Sequence, residues 1–489
     1  MLNLLTNSWI PVRRTTGTDV IRPAQIAEED VLFPDWPRPD LNLACLELLV
    51  GLVYIAAPPE DAEDWLDRKP DPVALQRALD PLALAFELLG DGPRFLQDLE
   101  RIEGTVNPPD MLFIDSAGAQ AARKNTDLMV KRSRYSSLPL PLAAMALYTL
   151  QNFAPAGGAG MRTSMRGGGP MVTLVRPDVP GLWPLIWANV PFGQALDADE
   201  LDELPWMRPT RVSDQGQVTV PPEGWSDPHP ELFFGMPRRL RLTADESGLT
   251  AVNQVPRGTN YAGWVHPLSP YYLTKTEKLP KHPKPGGFGY RNWRGILLQS
   301  EGGERPGCLN RWLRVRPGER ARLLVGGWAM SNATPLDFIW SEQPVFSLNA
   351  DAETRVADLV EAAEQAAYAL AINTRAGKGE DDTQSGAAAR ARQAFFARTQ
   401  APFEDLTREI ADGRTDVAEP WLTVLRRTAL ALFDAEVMPG LADLQESRRR
   451  KAVDARRNLV SSLSGYGGIG KKIFTALGLE LPKRKKETA

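Results

Sequence analysis

The residues best suited to ligand chemistry lie in a glycine-rich stretch, residues 155–170, which reads PAGGAGMRTSMRGGGP. We call this stretch the glycine loop. Its glycines allow backbone amides to approach another surface closely, and Arg162 and Arg166 carry guanidinium groups suited to phosphates and base edges. The pattern favours a nucleic-acid contact. An irregular surface loop is the alternative for a glycine-rich stretch taken alone.

A second candidate is a basic segment, residues 123–135, within a long loop bounded by prolines. Asp127 is its only acid, and Tyr135 follows its last arginine. The basic residues are Arg123, Lys124, Lys131, Arg132 and Arg134. Clustered cations beside an aromatic ring are typical of loops that follow a phosphate backbone, and a solvated basic loop is the alternative.

Basic residues also cluster in two later stretches. Residues 264–284 mix aromatic side chains with spaced lysines, among them Lys275 and Lys278. The last long helical pattern carries Arg448, Arg449, Arg450, Lys451, Arg456 and Arg457. These helix charges suit a nucleic-acid strand, and simple exposure to solvent is the default alternative.

Residues 324–335 form a further candidate because they end in small polar side chains. The pattern predicts a strand that breaks at Gly326–Gly327 and then presents Ser331 and Asn332. An ordinary turn is the usual role of a Ser-Asn pair on its own.

Regular elements are expected on both sides of the glycine loop. The apolar run Leu142–Phe153 predicts a helix that leads into it, and Met171–Val175 predicts a buried strand that follows it. Anchors at both ends are what a precise contact requires. Helical spacing of leucines over Asp40–Ile55 predicts a further core helix.

The closest match to an enzyme motif is GYGGIGK, residues 465–471, which satisfies the G-x-x-x-x-G-K pattern of a nucleotide-binding P-loop. Lys472 follows where Ser or Thr must hold Mg²⁺, and the segment before Gly465 reads as helix rather than strand. The sequence therefore predicts a non-catalytic protein. A nucleotide hydrolase and a purely structural scaffold are the two alternatives.

The counts of cysteine and histidine argue against a metal centre. The chain has two cysteines and three histidines, and none of them lies at metal-ligand spacing. Asp197-Ala-Asp199 runs on into further acids, as a solvated acidic face does. We predict neither metal nor cofactor. Two distant cysteines and the lack of a run of about 20 apolar residues predict a cytoplasmic protein with no membrane partner.

The composition changes along the chain, and so does the predicted fold. The 489 residues carry 57 Lys and Arg against 61 Asp and Glu, a net charge of −4, so affinity for nucleic acid must come from local patches. We predict an α+β fold. A large mixed domain with irregular loops covers 1–350, and an all-α four-helix bundle with a basic tail covers 351–489.

Four motifs occur in order along the chain. They are Asn3-Leu4 with Trp9-Ile10-Pro11-Val12, Gly157-Gly158-Ala159-Gly160 with Arg166-Gly167-Gly168, Trp264 with His266-Pro267-x-Ser269-Pro270, and Gly326-Gly327-Trp328. Together with the helical C-terminal region, they resemble the CasA family, the large subunit of the type I-E CRISPR Cascade surveillance complex. Each motif is weak alone, and the set is fairly specific.

The resemblance implies that the chain binds the duplex beside a target, the PAM, from the minor groove and starts target unwinding. In the family, three elements contact the PAM: a glycine loop, a lysine called the finger, and a residue called the wedge that parts the first base pair of the target. The matching residues are Gly157, Gly158, Ala159 and Gly160 for the loop, Lys275 or Lys278 for the finger, and Ser331 and Asn332 for the wedge. The family commonly has Asn-Gln at the wedge, so Asn332 is the shorter side chain.

The resemblance also implies the partners. The basic segment 123–135 would dock on the end of the crRNA and on a neighbouring Cascade subunit. The C-terminal bundle would hold one strand of the double-stranded target DNA. The family recruits a helicase-nuclease after target binding, and sequence specificity belongs to the guide RNA.

Overall fold

The computed structural model describes residues 2–116, 123, 134–158, 160–224, 228–379, 386–441 and 445–482. The chain divides into two units. The N-terminal unit comprises residues 1–287 and 301–342, and the C-terminal unit comprises residues 288–300 and 343–489. The C-terminal unit thus includes residues 288–300, which the predicted boundary at 350 assigns to the first domain.

The N-terminal unit mixes helices with short strands, in agreement with the predicted α+β class. In chain order its elements are β1 (Ile10–Arg14), β2 (Gly17–Ile21), β3 (Val31–Pro34), α1 (Pro39–Ala56), α2 (Ala62–Asp67), α3 (Pro72–Leu79), β4 (Thr105–Asn107), α4 (Leu140–Phe153), β5 (Val172–Pro177), α5 (Leu182–Trp187), β6 (Arg239–Asp245), β7 (Gly248–Val255), β8 (Tyr271–Leu273), β9 (Lys278–Pro280), β10 (Gly303–Glu304), α6 (Gly307–Val315), β11 (Ala321–Ser331) and β12 (Thr334–Val345), whose last residues belong to the C-terminal unit. The described strands form four three-stranded sheets, ordered β2-β1-β3, β4-β7-β6, β10-β8-β9 and β12-β11-β5.

Helix α1 is the central core helix of this unit. Pro39 occupies its first turn, where a missing N–H costs nothing, and Pro58 and Pro59 follow its end. Its residues are apolar on all sides and nearly all buried, as a helix inside a protein core requires. In the described part of the chain it is the one helix whose length and apolarity suit a membrane span, and 89% of that window is buried within the protein.

The predicted elements on either side of the glycine loop are present. Helix α4 leads into the loop and β5 follows it. Strand β5 pairs with β11 in antiparallel register, with Val172 opposite Gly326 and Pro177 opposite Ala321. The far end of the loop is therefore fixed to the strand that leads to Ser331.

The predicted break at Gly326–Gly327 is wrong, because β11 runs through both glycines. Their role is close packing. A Cβ at Gly326 would lie 2.7 Å from Cδ2 of Leu43 in α1, and a Cβ at Gly327 would overlap the carbonyl oxygen of Pro170. Tertiary contact, rather than a turn, explains the pair.

The C-terminal unit is helical. Its elements are α7 (Ala350–Lys378), α8 (Gly386–Ala411), α9 (Ala418–Val437), α10 (Glu446–Leu463) and α11 (Gly467–Ala476). The first four are the long helices of the predicted bundle, and α11 is a fifth, shorter helix. Helix α7 packs against each of the other four. Tyr290 and Trp293 add an aromatic core against Phe403 and Trp421, which explains why residues 288–300 belong to this unit.

Candidate nucleic-acid interface

The first half of the glycine loop is an exposed tight turn. The amide of Met161 donates to the carbonyl of Gly158 at 2.8 Å, and the amide of Gly157 donates to the carbonyl of Met161 at 3.1 Å. Gly158 and Gly160 have φ of 69° and 82°, the left-handed region that favours glycine. A Cβ at Gly158 would meet no atom within 4 Å, so its outer face is open. Ala159 lies outside the described residues.

Both arginines of the loop bind the protein itself, which corrects their assignment as phosphate ligands. Arg162 donates from Nε to Oγ of Ser213 at 2.8 Å and from Nη2 to the Ser213 carbonyl at 3.0 Å. Arg166 is only 2% exposed, and its Nη2 lies 2.5 Å from Oε1 of Glu47 in α1. A guanidinium held this deeply has no free face for an external anion.

The second half of the loop is packed against three neighbours. A Cβ at Gly167 would lie 2.7 Å from Nε2 of His282, and a Cβ at Gly169 would overlap the carbonyl oxygen of Trp328. A Cβ at Gly168 would lie 2.6 Å from Cα of Pro155. These glycines allow backbone segments to approach each other, and they leave no room for a ligand.

The lysine candidates lie on the β8–β9 hairpin, which we call the lysine hairpin, and their environments differ. Thr274 closes the turn: its amide and its hydroxyl donate to the Glu277 carbonyl, each at 2.9 Å, and its Oγ1 accepts from the Glu277 amide at 3.0 Å. Lys275 is exposed at the tip of this turn. Lys278 lies below the tip, and its Nζ pairs with Oε2 of Glu304 at 2.7 Å.

The wedge candidates lie where β11 ends. Ser331 is the last residue of β11, and Asn332 and Ala333 connect β11 to β12 in a two-residue turn. Ser331 and Asn332 are exposed. Asn332 has φ of 52°, a conformation that asparagine tolerates better than most residues. The turn therefore presents the Asn332 amide to solvent.

The bases of these three elements meet. The amide of Met171, just after the glycine loop, donates to the carbonyl of Lys281, just after β9, at 3.2 Å. The loop carbonyl of Pro170 lies against Gly327 of β11, and so does Cγ of Pro283. The structure thus joins the glycine loop, the lysine hairpin and the strand leading to Asn332 at one place in the N-terminal unit.

The basic segment 123–135 is described only in part. Arg123 is exposed, whereas Lys124, Lys131 and Arg132 lie outside the described residues. The Arg134 amide donates to Oδ2 of Asp110 at 2.9 Å. The Arg134 guanidinium lies over the rings of Phe113 and Tyr135, with its carbon 5.5 Å and 5.0 Å from their centroids. Arg134 is thus tied to the base of the segment.

The basic residues of α10 fall into two groups. The first is exposed and comprises Arg448, Arg449, Arg450 and Lys451. In the second, Arg456 forms two bonds to the Asp434 carboxylate, at 2.7 Å and 2.9 Å, and Arg457 pairs with Asp454 at 3.0 Å. The first group and Arg457, whose side chain is 77% exposed, are the basic residues of α10 that face solvent.

The P-loop alternative is not supported by the local structure. Residues 465–471 span the end of the link after α10 and the first turn of α11, so a helix rather than a strand precedes them. A Cβ at Gly470 would lie 2.6 Å from the carbonyl oxygen of Ser462, which indicates helix-to-turn packing. Within the described ranges, no group of three His, Cys, Asp or Glu side chains is placed to hold a metal ion.

Sequence reasoning missed Glu47 and His282. Glu47 is the only acid between Leu41 and Ile55, and a lone carboxylate in an apolar helix is a signal for a buried partner. His282 has no comparable signal. Its Nε2 lies 3.0 Å from the carbonyl oxygen of Arg166, 116 residues away in sequence.

Comparison with known proteins agrees with this architecture. The family model for CRISPR-associated protein Cse1 matches residues 3–432. CasA (Cse1) from Thermus thermophilus has a TM-score of 0.72 at 19% identity, over 95% of this chain and 100% of that chain. Cse1 from Acidimicrobium ferrooxidans has a TM-score of 0.68 at 19% identity, over 98% of both chains. A chain of a CRISPR RNA-guided surveillance complex has a TM-score of 0.68 at 15% identity, over 94% of this chain and 99% of that one.

The fold is that of the solved CasA (Cse1) structures. This chain belongs to the Cse1 family of CRISPR-associated proteins, because the family model covers nearly all of it.

Proposed function

We propose that this chain is the non-catalytic subunit of a cytoplasmic RNA-guided surveillance complex that recognises the PAM duplex from the minor groove and starts unwinding of the target. Family membership supports a place in such a complex, with crRNA and other Cascade subunits as partners. The single observation that carries the DNA-binding part is the common base of the glycine loop, the lysine hairpin and β11.

The chemistry of the three exposed tips suits a minor groove. That groove offers few base-specific groups, so backbone amides, one cation and one amide side chain give relaxed recognition of a short site. Gly158 supplies backbone with an open outer face, whereas Cβ atoms at Gly157 and Gly160 would lie 2.8 Å from Met161 and 3.1 Å from Arg257. Lys275 is the better finger than Lys278, because Lys278 already pairs with Glu304.

Asn332 is the proposed wedge. It leads a two-residue turn and is exposed, so its amide is free to enter a groove at the first base pair of the target. Parting one base pair costs a few kcal/mol of stacking, which the remaining contacts must offset. The guide RNA then pairs with the target strand and supplies sequence specificity.

The other partners follow the same proposal. The basic segment 123–135 docks on the crRNA end and a neighbouring subunit, and the exposed basic group of α10, residues 448–451, holds a DNA strand by its phosphates. After target binding the subunit helps to recruit a helicase-nuclease.

The test compares two DNA substrates in the assembled complex with its guide RNA. One carries a paired PAM duplex, and the other is already melted beside the PAM. We expect Lys275→Ala to weaken binding of the paired substrate about tenfold, which corresponds to one contact of roughly 1.4 kcal/mol, with a much smaller loss on the melted substrate.

Two variants make the test specific. Asn332→Gly removes the amide side chain and keeps the left-handed backbone, so it should act mainly on the paired substrate. Lys278→Ala is the matched control for Lys275→Ala and should have little effect. Equal losses on both substrates would reject the assignment of Lys275 and Asn332, and unchanged DNA binding in all variants would favour a structural scaffold.

A further inference from the structure

A buried polar cluster lies behind the proposed interface and has no part in DNA contact itself. We call it the anchor cluster, and it comprises Glu47, Arg166, His266 and Ser269. Each is at most 2% exposed. Arg166 donates from Nη2 to Oε1 of Glu47 at 2.5 Å and from Nη1 to Oγ of Ser269 at 3.0 Å, while Nδ1 of His266 lies 3.5 Å from Nη1.

Burying the charged groups of the anchor cluster in the core carries a large desolvation free energy. Removing a guanidinium and a carboxylate from water often costs more than their attraction returns, and apolar residues of similar size are often at least as stabilising. Two of its polar atoms, Oε2 of Glu47 and Nε2 of His266, have no hydrogen-bond partner among the described residues. Stability alone therefore gives a poor account of these residues.

The connections of Arg166 give a better account, because Arg166 holds both ends of the lysine hairpin. Its side chain binds Ser269, two residues before β8. Its carbonyl oxygen lies 3.0 Å from Nε2 of His282, two residues after β9. Its other partner, Glu47, belongs to the core helix α1. Gly167 makes the His282 contact possible, since a Cβ there would collide with the ring.

Ser269 and His266 are also fixed to the surrounding backbone. Oγ of Ser269 donates to the carbonyl of Met171 at 2.7 Å, so it also holds the exit of the glycine loop. Nδ1 of His266 accepts from the Leu268 amide at 3.1 Å, which fixes the ring in the bend before β8. His266 and Ser269 of the His-Pro-x-Ser-Pro motif thus line the site that holds the Arg166 side chain.

We propose that Arg166, held by Glu47, is a positioning residue that sets the place of the turn 157–160 relative to Lys275, so that both reach the same duplex DNA. This inference rests on the proposed function. It assigns to Arg166 an indirect role in place of the direct phosphate contact that its type and surroundings in sequence predict.

The test is a double-mutant cycle in the assembled complex, with binding to the paired PAM duplex as the readout. Lys275→Ala is measured in the wild-type, Glu47→Gln and Arg166→Met backgrounds. If the anchor cluster positions Lys275, the loss caused by Lys275→Ala shrinks from about tenfold to about twofold or less in both backgrounds, because contacts in one network are coupled. A role in folding alone would leave the tenfold loss unchanged.

The matched control is Arg162→Met. Arg162 anchors the same loop to Ser213 and has no bond to the hairpin, so Lys275→Ala should keep its full effect in that background. Arg166→Met could prevent folding of the unit. Glu47→Gln is nearly isosteric and keeps the test usable in that case, and a thermal unfolding measurement checks that this variant is folded.

Three outcomes are distinguishable. An undiminished loss from Lys275→Ala in the folded Glu47→Gln protein overturns the positioning role and leaves the proposed function standing. A Lys275→Ala variant that binds as wild type in the intact background removes the lysine assignment and the positioning role together. A diminished loss in the Arg162→Met background as well shows general loosening of the loop, and it also overturns the specific role of Arg166.

Discussion

The two halves of the glycine loop contain three glycines each and have different environments. In the turn 157–160, a Cβ at Gly158 would meet nothing within 4 Å, whereas in residues 166–169 a Cβ at Gly169 would overlap backbone. Gly158 and Gly169 nevertheless have similar φ, 69° and 63°. Gly158 is glycine for its conformation and has an open face, whereas the glycines of the second half serve close packing. Among the six glycines of the loop, Gly158 is the one with open space beside it.

The largest expected effect is on the free energy of unfolding, and it distinguishes a glycine needed for its backbone conformation from one that is also needed for close packing. Gly158→Ala and Gly169→Ala carry the same backbone penalty, about 1–2 kcal/mol for a left-handed residue. Gly169→Ala also forces its Cβ against the Trp328 carbonyl, which adds about 1–3 kcal/mol. We expect Gly169→Ala to lose the larger free energy of unfolding in urea titrations of the purified chain. Equal losses would contradict the division of the loop into two halves.

A smaller effect is expected on the pH dependence of stability. It involves His282, which contacts the second half of the loop. Burial holds the pKa of His282 below its ordinary value of 6.5, so the unfolded chain binds this proton more readily than the folded one. The contribution to stability is therefore complete above about pH 6.5 and declines as pH falls below it.

We expect the free energy of unfolding to fall between pH 7 and pH 5.5. His282→Gln keeps a donor for the Arg166 carbonyl and should reduce this loss by at most about 1.4 kcal/mol per pH unit. His229 and His266, whose pKa values burial also lowers, keep the remaining dependence. A pH profile unchanged by His282→Gln would show that this ring does not titrate with unfolding.

The smallest expected effect on stability lies in the first half. Gly158→Asn should change the free energy of unfolding by less than about 1 kcal/mol, because asparagine tolerates the left-handed region and no neighbour is displaced. The new side chain fills the open face, so we expect binding of the paired PAM duplex by the assembled complex to be largely lost. Full binding by a folded Gly158→Asn variant would remove the turn 157–160 from the interface.

Local patterns predicted the elements on either side of the glycine loop. The apolar runs predicted to form α1, α4 and β5 do form these elements, and the position of the glycine loop between helix and strand is confirmed. These predictions succeed because the length of an apolar run and the turn residues beside it act over a few positions.

The errors arose where distant residues decide the outcome. Arg166 reads as a surface cation until Glu47, 119 residues away, is placed beside it. Gly326–Gly327 reads as a break until Leu43 and Pro170 fill the space above it. The lone acid of α1 signals a buried partner, but no local pattern identifies the partner residue in either contact.

The ion pair between Glu47 and Arg166 has a genetic consequence. Helix α1 lies in the hydrophobic core and also holds Arg166 of the glycine loop through Glu47, so we expect small shifts of this helix to move the loop. A selection for altered tolerance of target-adjacent sequences should therefore return substitutions at fully buried positions of α1. Suppressors of defects in the exposed turns should map to the same helix, far from any nucleotide.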